Sequence, residues 1–251
     1  MKPKLFQYWE TPENLPKKPG YIELCEQTVD KYCSDGFEIE RLNRENIKDY
    51  LPELDEGIWG LGNIALVADY IRARLLYKYG GLWLDADTIV MQPLTDIVER
   101  LDEGSSFVGY RKTSHGDDNI SVNFMGGIKN SAVFRKYGEI QDGLLQNSKK
   151  LKWSSLGADA LDKALKKATL YESHFYPESR IQPIPWQEQK RFYRKEEEVE
   201  NVINEDTLTC MIFNNGMKTR DQIPDVRLLD KEQLMEIPIL LTKLLKYSLE
   251  K

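Results

Sequence analysis

Cysteine and histidine are scarce in this chain, with three of the first and two of the second among 251 residues. Cys25, Cys33 and Cys210 are odd in number and lack metal-ligand spacing. That excludes a disulfide framework and a zinc cluster, and it fits buried thiols in a reducing cytoplasm. No apolar run approaches the ~18–20 residues that would span a bilayer. The stretch Met1 to Trp9 has neither the apolar core nor the small-residue cleavage site of a signal peptide, and it reads as a first strand. Positive charge is not in excess either: 41 acidic against 35 basic residues give a net charge of −6. A nucleic-acid binder is usually basic, so none is expected as a partner. Internal repeats and low-complexity linkers are absent too, which leads to one expected domain over residues 1–251.

What is present is an ordinary globular composition, 41% apolar and 30% charged, with alternating strand and helix signals. Lys4 to Trp9 reads as a strand. Tyr21 to Cys33 shows helical spacing through Ile22, Cys25, Val29 and Tyr32. Phe37 to Leu42 reads as a second strand and Asn43 to Leu51 as a short helix. The clearest element is a helix over Asn63 to Tyr79, with Ile64, Val67, Ala68, Ile71, Leu75 and Tyr79 at helical period. Asn63 can cap its start, and Gly80-Gly81 supplies a left-handed stop. Leu82-Trp83-Leu84 then opens a third strand. Further strands are expected over Ser105 to Tyr110 and Asn119 to Ile128, with helices over Ser131 to Gln146 and Gly157 to Ala168. Arg191 to Glu200 reads as a solvated charged segment. The alternation predicts an α/β fold with a parallel, doubly wound sheet. Ligands of such sheets sit beyond the carboxyl ends of the strands. Those ends carry Trp9, Asn43 and the segment Asp85-Ala86-Asp87.

Asp85 and Asp87 are two residues apart, and in extended chain such side chains share a face. Two carboxylates so placed attract Mg²⁺ or Mn²⁺, leaving positions that phosphate oxygens can fill. The cation would then neutralise charge building on a leaving diphosphate. Asp-x-Asp alone also fits a solvated turn. Here, however, it follows an apolar strand, and the preceding helix sets Asp69 and Arg72 on one face at i and i+3. Arg72 could meet a phosphate or sugar hydroxyl, with Asp69 accepting from donor hydroxyls. Trp83 adds an aromatic near the acidic segment. The bland alternative for Asp69 and Arg72 is a surface ion pair worth roughly 0–1 kcal/mol.

The run Ala68-Asp69-Tyr70-Ile71-Arg72, then Tyr79-Gly80-Gly81-Leu82-Trp83-Leu84-Asp85-Ala86-Asp87, closely resembles the sugar-binding region with an Asp-x-Asp motif of family-32-type glycosyltransferases. These include bacterial capsular polysaccharide transferases. Phe6-Gln7-Tyr8-Trp9 resembles that family's first strand. Pro183-Ile184-Pro185-Trp186 and Ile212-Phe213-Asn214 resemble its later, weaker motifs. The likeness touches most of the chain and is strong over residues 63–94. It implies a GT-A type fold, a Rossmann-like and mostly parallel sheet flanked by helices. Residues 1–94 would form the nucleotide-sugar half; 95–251 would form the acceptor side and a C-terminal helix. It also implies Mn²⁺ or Mg²⁺, a nucleoside-diphosphate sugar, a UDP-sugar above all, and retention of anomeric configuration. On the matching residues, Tyr8 and Trp9 would lie against the donor, with Trp9 stacked on the nucleobase. Asn43, Asp69, Arg72 and Trp83 would serve the donor too, Asp69 and Arg72 holding its sugar. Asp85 would meet ribose or metal, and Asp87 the metal directly. Relatives often carry a histidine just before the late asparagine motif, where this chain has Met211. A third ligand would then fall to Asn214 or Asn215 through a carbonyl.

Other residues have two readings. Asn123, polar between Val122 and Phe124, could line the gap between donor and acceptor as a catalytic residue, or bond a loop. His115 with Asp117 and Asp118 reads as a polar loop rather than a metal cluster. Gly57, Gly60 and Gly62 do not match a dinucleotide fingerprint. Ile237 to Leu249 is a leucine-rich helix expected to pack on the domain. Its alternative is a helix on an anionic membrane surface, which would suit a lipid-linked acceptor and a peripheral site at the inner face of the membrane. Two rival functions stay open: a nucleotide-sugar hydrolase and a non-catalytic sugar-nucleotide-binding module.

Overall fold

A computed structural model of the chain describes all residues except 117, 148–149, 169–171 and 219–222, and the side chain of Asn215. In chain order the first elements are β1 (Lys4–Tyr8), α1 (Gly20–Cys33), β2 (Glu38–Leu42), α2 (Ile47–Tyr50), α3 (Ile64–Tyr79), β3 (Gly81–Leu84) and β4 (Thr88–Val90). Then come α4 (Thr95–Asp102), β5 (Phe107–Lys112), β6 (Asn119–Ile120), β7 (Phe124–Gly127), α5 (Ala132–Asn147) and α6 (Ala158–Lys167). The last are β8 (Ser173–Tyr176), α7 (Glu178–Ile181), β9 (Thr209–Met211), α8 (Lys231–Met235) and α9 (Leu240–Glu250). They pack as two compact units of three segments each. One comprises Met1–Glu10, Phe37–Leu84 and Thr95–Tyr176; the other comprises Thr11–Gly36, Asp85–Leu94 and Pro177–Lys251.

The first unit holds a seven-stranded sheet ordered β2-β1-β3-β7-β5-β6, with β8 also on β5. β1 runs parallel to β2 and β3, and β8 parallel to β5, while β7 and β6 pair antiparallel. The sheet is therefore mostly parallel, with β6 and β7 reversed. With the helices that flank it, this makes an α/β fold, as the alternation of elements predicts. The pleat turns Phe6, Tyr8, Trp83, Phe107 and Met125 into one core with Val67, Ile71 and Leu75 of α3 and Phe134 of α5. α3 starts where Asn63 Oδ1 accepts from the Ala65 N–H at 2.9 Å. It stops at Gly80, φ 70°, whose N–H reaches the Leu76 carbonyl. Gly81 follows at φ 100°, and a Cβ there would stand 2.2 Å from the Lys4 carbonyl. Only glycine lets β3 begin this close to β1.

The second unit is built around α1, the antiparallel ribbon of β4 and β9, and helices α8 and α9. Thr28 Oγ1 of α1 accepts from the Val90 N–H at 2.9 Å, and Ser248 of α9 donates to the Val90 carbonyl at 2.6 Å. Leu240, Leu241, Leu244 and Leu245 of α9 are fully buried. The packing reading of this helix therefore holds, and those leucines present no apolar face to a bilayer. No helix among the described residues is long and apolar enough to cross a membrane.

Several elements differ from the sequence reading. The strand expected over Asn119 to Ile128 is broken into β6 and β7 by a bend at Ser121–Asn123. The helix expected from Asn43 is confined to α2, because Asn43 Oδ1 accepts from the Glu45 and Asn46 N–H groups and closes a turn first. Arg191 to Glu200 is not simply solvated: Phe192, Tyr193 and Val199 are buried, and Arg191 bridges Glu188 at 2.9 Å and Glu197 at 2.5 Å.

Candidate functional site

The acidic segment is a turn, not extended chain: Leu84 ends β3, Ala86 and Asp87 form the turn, and Thr88 opens β4. The exposure pattern nevertheless alternates. Ala86 is buried, whereas Asp85 and Asp87 on either side are partly exposed. Both aspartates thus reach the surface in part, by tight turning rather than by strand pleat.

Asp87 is fixed by the strand β9 and its exit. Its carbonyl accepts from the Ile212 N–H and its carboxylate Oδ2 from the Asn214 N–H, each at 2.8 Å. Phe213 lies between these two donors with φ 66° and ψ 73°, a left-handed conformation. A non-glycine residue held there costs on the order of 1–3 kcal/mol, which surrounding contacts must offset. The kink bends the chain off the β4–β9 ladder, so that Asn214 meets the carboxylate instead of continuing the strand. The Phe213 ring packs edgewise on Trp186 at 6.0 Å, which joins the two late motifs in one place. The Tyr21 hydroxyl, in the first turn of α1, donates to Asn214 Oδ1. Burial pushes the Tyr21 phenol well above its ordinary value, and the charge of Asp87 adds to the rise. Cys25 is raised for the same two reasons and is an inert, buried thiol.

In the first unit, Asp69 and Arg72 are a buried pair. Arg72 Nη2 lies 3.3 Å from Asp69 Oδ1, with the side chains only 4% and 8% exposed. Arg72 also donates to the Val122 and Ala68 carbonyls, and its guanidinium sits 4.7 Å above the Trp83 ring centroid. The surface-pair alternative is therefore excluded. Gln141 of α5 clamps the region by donating to the Asp69 carbonyl at 2.8 Å and the Leu156 carbonyl at 2.6 Å. Gly157, just before α6, lies so close to Asp69 that a Cβ there would stand 2.5 Å from Oδ2. Gly157→Ala is expected to cost about 1–3 kcal/mol, as overpacked sites do, by pushing the carboxylate off Arg72. Urea unfolding measures this, and a loss below ~0.5 kcal/mol would show that Asp69 has room to move.

The remaining expected residues have varied surroundings. Trp9 is half-buried at the end of β1, its N–H bonded to the Leu42 carbonyl at 3.0 Å. Asn43 directly follows β2 and closes the turn described above. Tyr8 and Trp83 lie on the core side of the sheet. The pleat turns both inward, at 6% and 1% exposure, and the Trp83 ring lies beneath the Arg72 guanidinium. Asn123 is buried, and its Oδ1 accepts from Tyr110 at 2.9 Å and Ser121 at 2.5 Å. Its bonds are thus those of a bend holding β6 and β7. Asp117 lies outside the described residues, as does the Asn215 side chain.

Sequence reasoning missed Tyr21, Gln141 and Gly157. In the sequence Tyr21 and Gly157 stand only as the first residues of two expected helices. Among the described residues no group of three or more His, Cys, Asp or Glu side chains could hold a metal ion. Two partly exposed carboxylates with an asparagine beside one of them still fit a hard cation. Mg²⁺ is usually held by one or two carboxylates and completes its shell with phosphate and water oxygens.

Comparison with known proteins agrees with this fold. The glycosyltransferase GlyE of Streptococcus pneumoniae TIGR4 superposes with a TM-score of 0.54 at 15% identity, covering 93% of this chain and 62% of GlyE. The chain thus spans less than two thirds of that protein. A glycosyltransferase involved in the glycosylation of the major capsid of PBCV-1 superposes with a TM-score of 0.51 at 13% identity, covering 85% and 95%. Comparison with curated protein sequences gives no match. The model of the family described as capsular polysaccharide synthesis protein matches residues 1–173, which include α3, β3 and the acidic turn, and the chain belongs to that family.

Proposed function

We propose that this protein is a metal-dependent glycosyltransferase of the family-32 type. It would move a hexose from a nucleotide-sugar, a UDP-sugar above all, to a glycan or lipid-linked acceptor in surface polysaccharide or glycoprotein glycan synthesis. The observation that carries the reading is the Asp85-Ala86-Asp87 turn, with both aspartates partly exposed and Asp87 pinned by Asn214. Asp85, Asp87 and the Asn214 amide oxygen would hold Mn²⁺ or Mg²⁺, which supplies positive charge against the leaving diphosphate. Trp9 offers a half-buried ring for the nucleobase, and the Asp69–Arg72 pair offers donors and acceptors for the sugar. In the retaining reaction the bond from the anomeric carbon to the diphosphate oxygen breaks and one to the acceptor hydroxyl oxygen forms on the same face. The acceptor proton passes to the departing phosphate. The protein's main contribution is fixed charge and dipoles aimed at the developing negative charge.

A panel of UDP- and GDP-sugars, assayed with Mn²⁺ and with chelator, tests the reading. Turnover of a UDP-sugar that chelator abolishes is the expected result. Sugar release at the same rate with and without an acceptor would favour the hydrolase. Absence of any Mn²⁺-dependent nucleotide binding would leave the binding module without metal chemistry.

A further inference from the structure

Tyr21 has no part in the donor chemistry set out above, yet its hydroxyl is fully buried and ends on the side chain beside the acidic turn. If the position only filled the core, phenylalanine would serve, with nearly the same volume and no hydroxyl to satisfy. Its partner Asn214 is held at three atoms. The N–H donates to Asp87 Oδ2 at 2.8 Å, the carbonyl accepts from the Met217 N–H at 3.1 Å, and Oδ1 accepts from Tyr21. The left-handed Phe213 sets the backbone for the first of these contacts, and Tyr21 alone sets which end of the amide faces inward among the bonds described. An amide oxygen has two lone pairs, so the phenol's donation leaves Oδ1 able to accept once more.

We propose that Tyr21 is a positioning residue that orients the Asn214 amide, presenting its oxygen rather than its NH₂ group beside Asp87 as a ligand for the divalent cation. The assignment rests on the metal-dependent reading above. Without the hydroxyl the amide can turn, and an NH₂ group repels a cation. Groups that orient metal ligands typically change metal affinity about 10–100-fold when removed.

The test is a titration of free Mn²⁺ by electron paramagnetic resonance in the presence of UDP. It compares wild type, Tyr21→Phe, Asn214→Ala and the double variant, with thermal unfolding in parallel. Each single variant is expected to bind Mn²⁺ at least about tenfold more weakly, while UDP binding without metal is unchanged. The double variant is expected to bind no more weakly than Asn214→Ala, because Tyr21 acts through Asn214. A structural role for the phenol would instead lower thermal stability and leave Mn²⁺ affinity alone, and that result overturns the assignment. Additive losses in the double variant overturn it too. Asn214 is only half-buried and Asn214→Ala leaves the Tyr21 ring in place, so it keeps the assignment falsifiable if Tyr21→Phe does not fold: wild-type Mn²⁺ affinity in that variant sinks it. Wild type that retains no Mn²⁺ with UDP would instead remove the metal-dependent reading itself, and the assignment with it.

Discussion

Asp87→Ala is expected to retain less than about a thousandth of wild-type turnover in the Mn²⁺-dependent assay. A cation opposite a leaving diphosphate contributes several kcal/mol to the transition state, and each ~1.36 kcal/mol is a factor of ten in rate. The variant also loses the acceptor of the Asn214 N–H. Asp87→Asn separates these two effects, because its amide oxygen can still accept that bond while the charge is gone. It is expected to keep wild-type stability within ~1 kcal/mol and still lose most activity. Initial rates of nucleotide release and urea unfolding curves provide the two measurements. Wild-type turnover in Asp87→Ala would refute the proposed role of this carboxylate.

Arg72→Met should be the most damaging substitution for stability among the site residues. The guanidinium neutralises Asp69 where both side chains are buried, and it spans Ala68, Val122 and Trp83. Removing one partner of a buried pair typically costs 3–5 kcal/mol, because the other charge stays behind uncompensated. The loss should depend on pH in a definite direction. In the variant, burial raises the Asp69 pKa in the folded state above its unfolded value near 3.9. A group raised in this way favours folding at low pH and loses that contribution as pH climbs through the folded-state value. Arg72→Met is therefore expected to lie closer to wild type at pH 5 than at pH 8 in urea unfolding. Asp69→Asn in the same chain should recover part of the loss at pH 8. A cost below ~1 kcal/mol at pH 8 would mean that the pair is solvated in solution.

The parts of the fold legible in the sequence were those written by local rules. Asn63 as a cap, Gly80 as a left-handed stop and the apolar period between them define α3 without reference to any distant residue. β1, β2 and β3 were legible for the same reason, and their shared direction followed from the helices between them. The acidic pair could be located but not shaped: a strand pleat was expected, and a turn was found. β9 escaped notice because Thr209, Cys210 and Met211 become a strand only by pairing with β4. Tyr21 and Asn214 lie 193 positions apart, and Gly157 meets Asp69 across two helices, so neither contact leaves a periodic trace. Trp83 illustrates the opposite failure. Its place beside the motif was legible, whereas the side of the sheet it takes was settled by pairing with Phe6, which faces the core.

The bond between Asp87 and Asn214 joins residues 127 positions apart, and this has a consequence for biosynthesis. As the ribosome delivers the chain from its N-terminus, the carboxylate emerges early and waits for β9 and the kink behind it. A nascent or prematurely ended product that stops before Asn214 carries the whole acidic signature but lacks the backbone that seats it. Such a fragment would be recognised by its motif and still lack the contact that holds the Asp87 carboxylate in place.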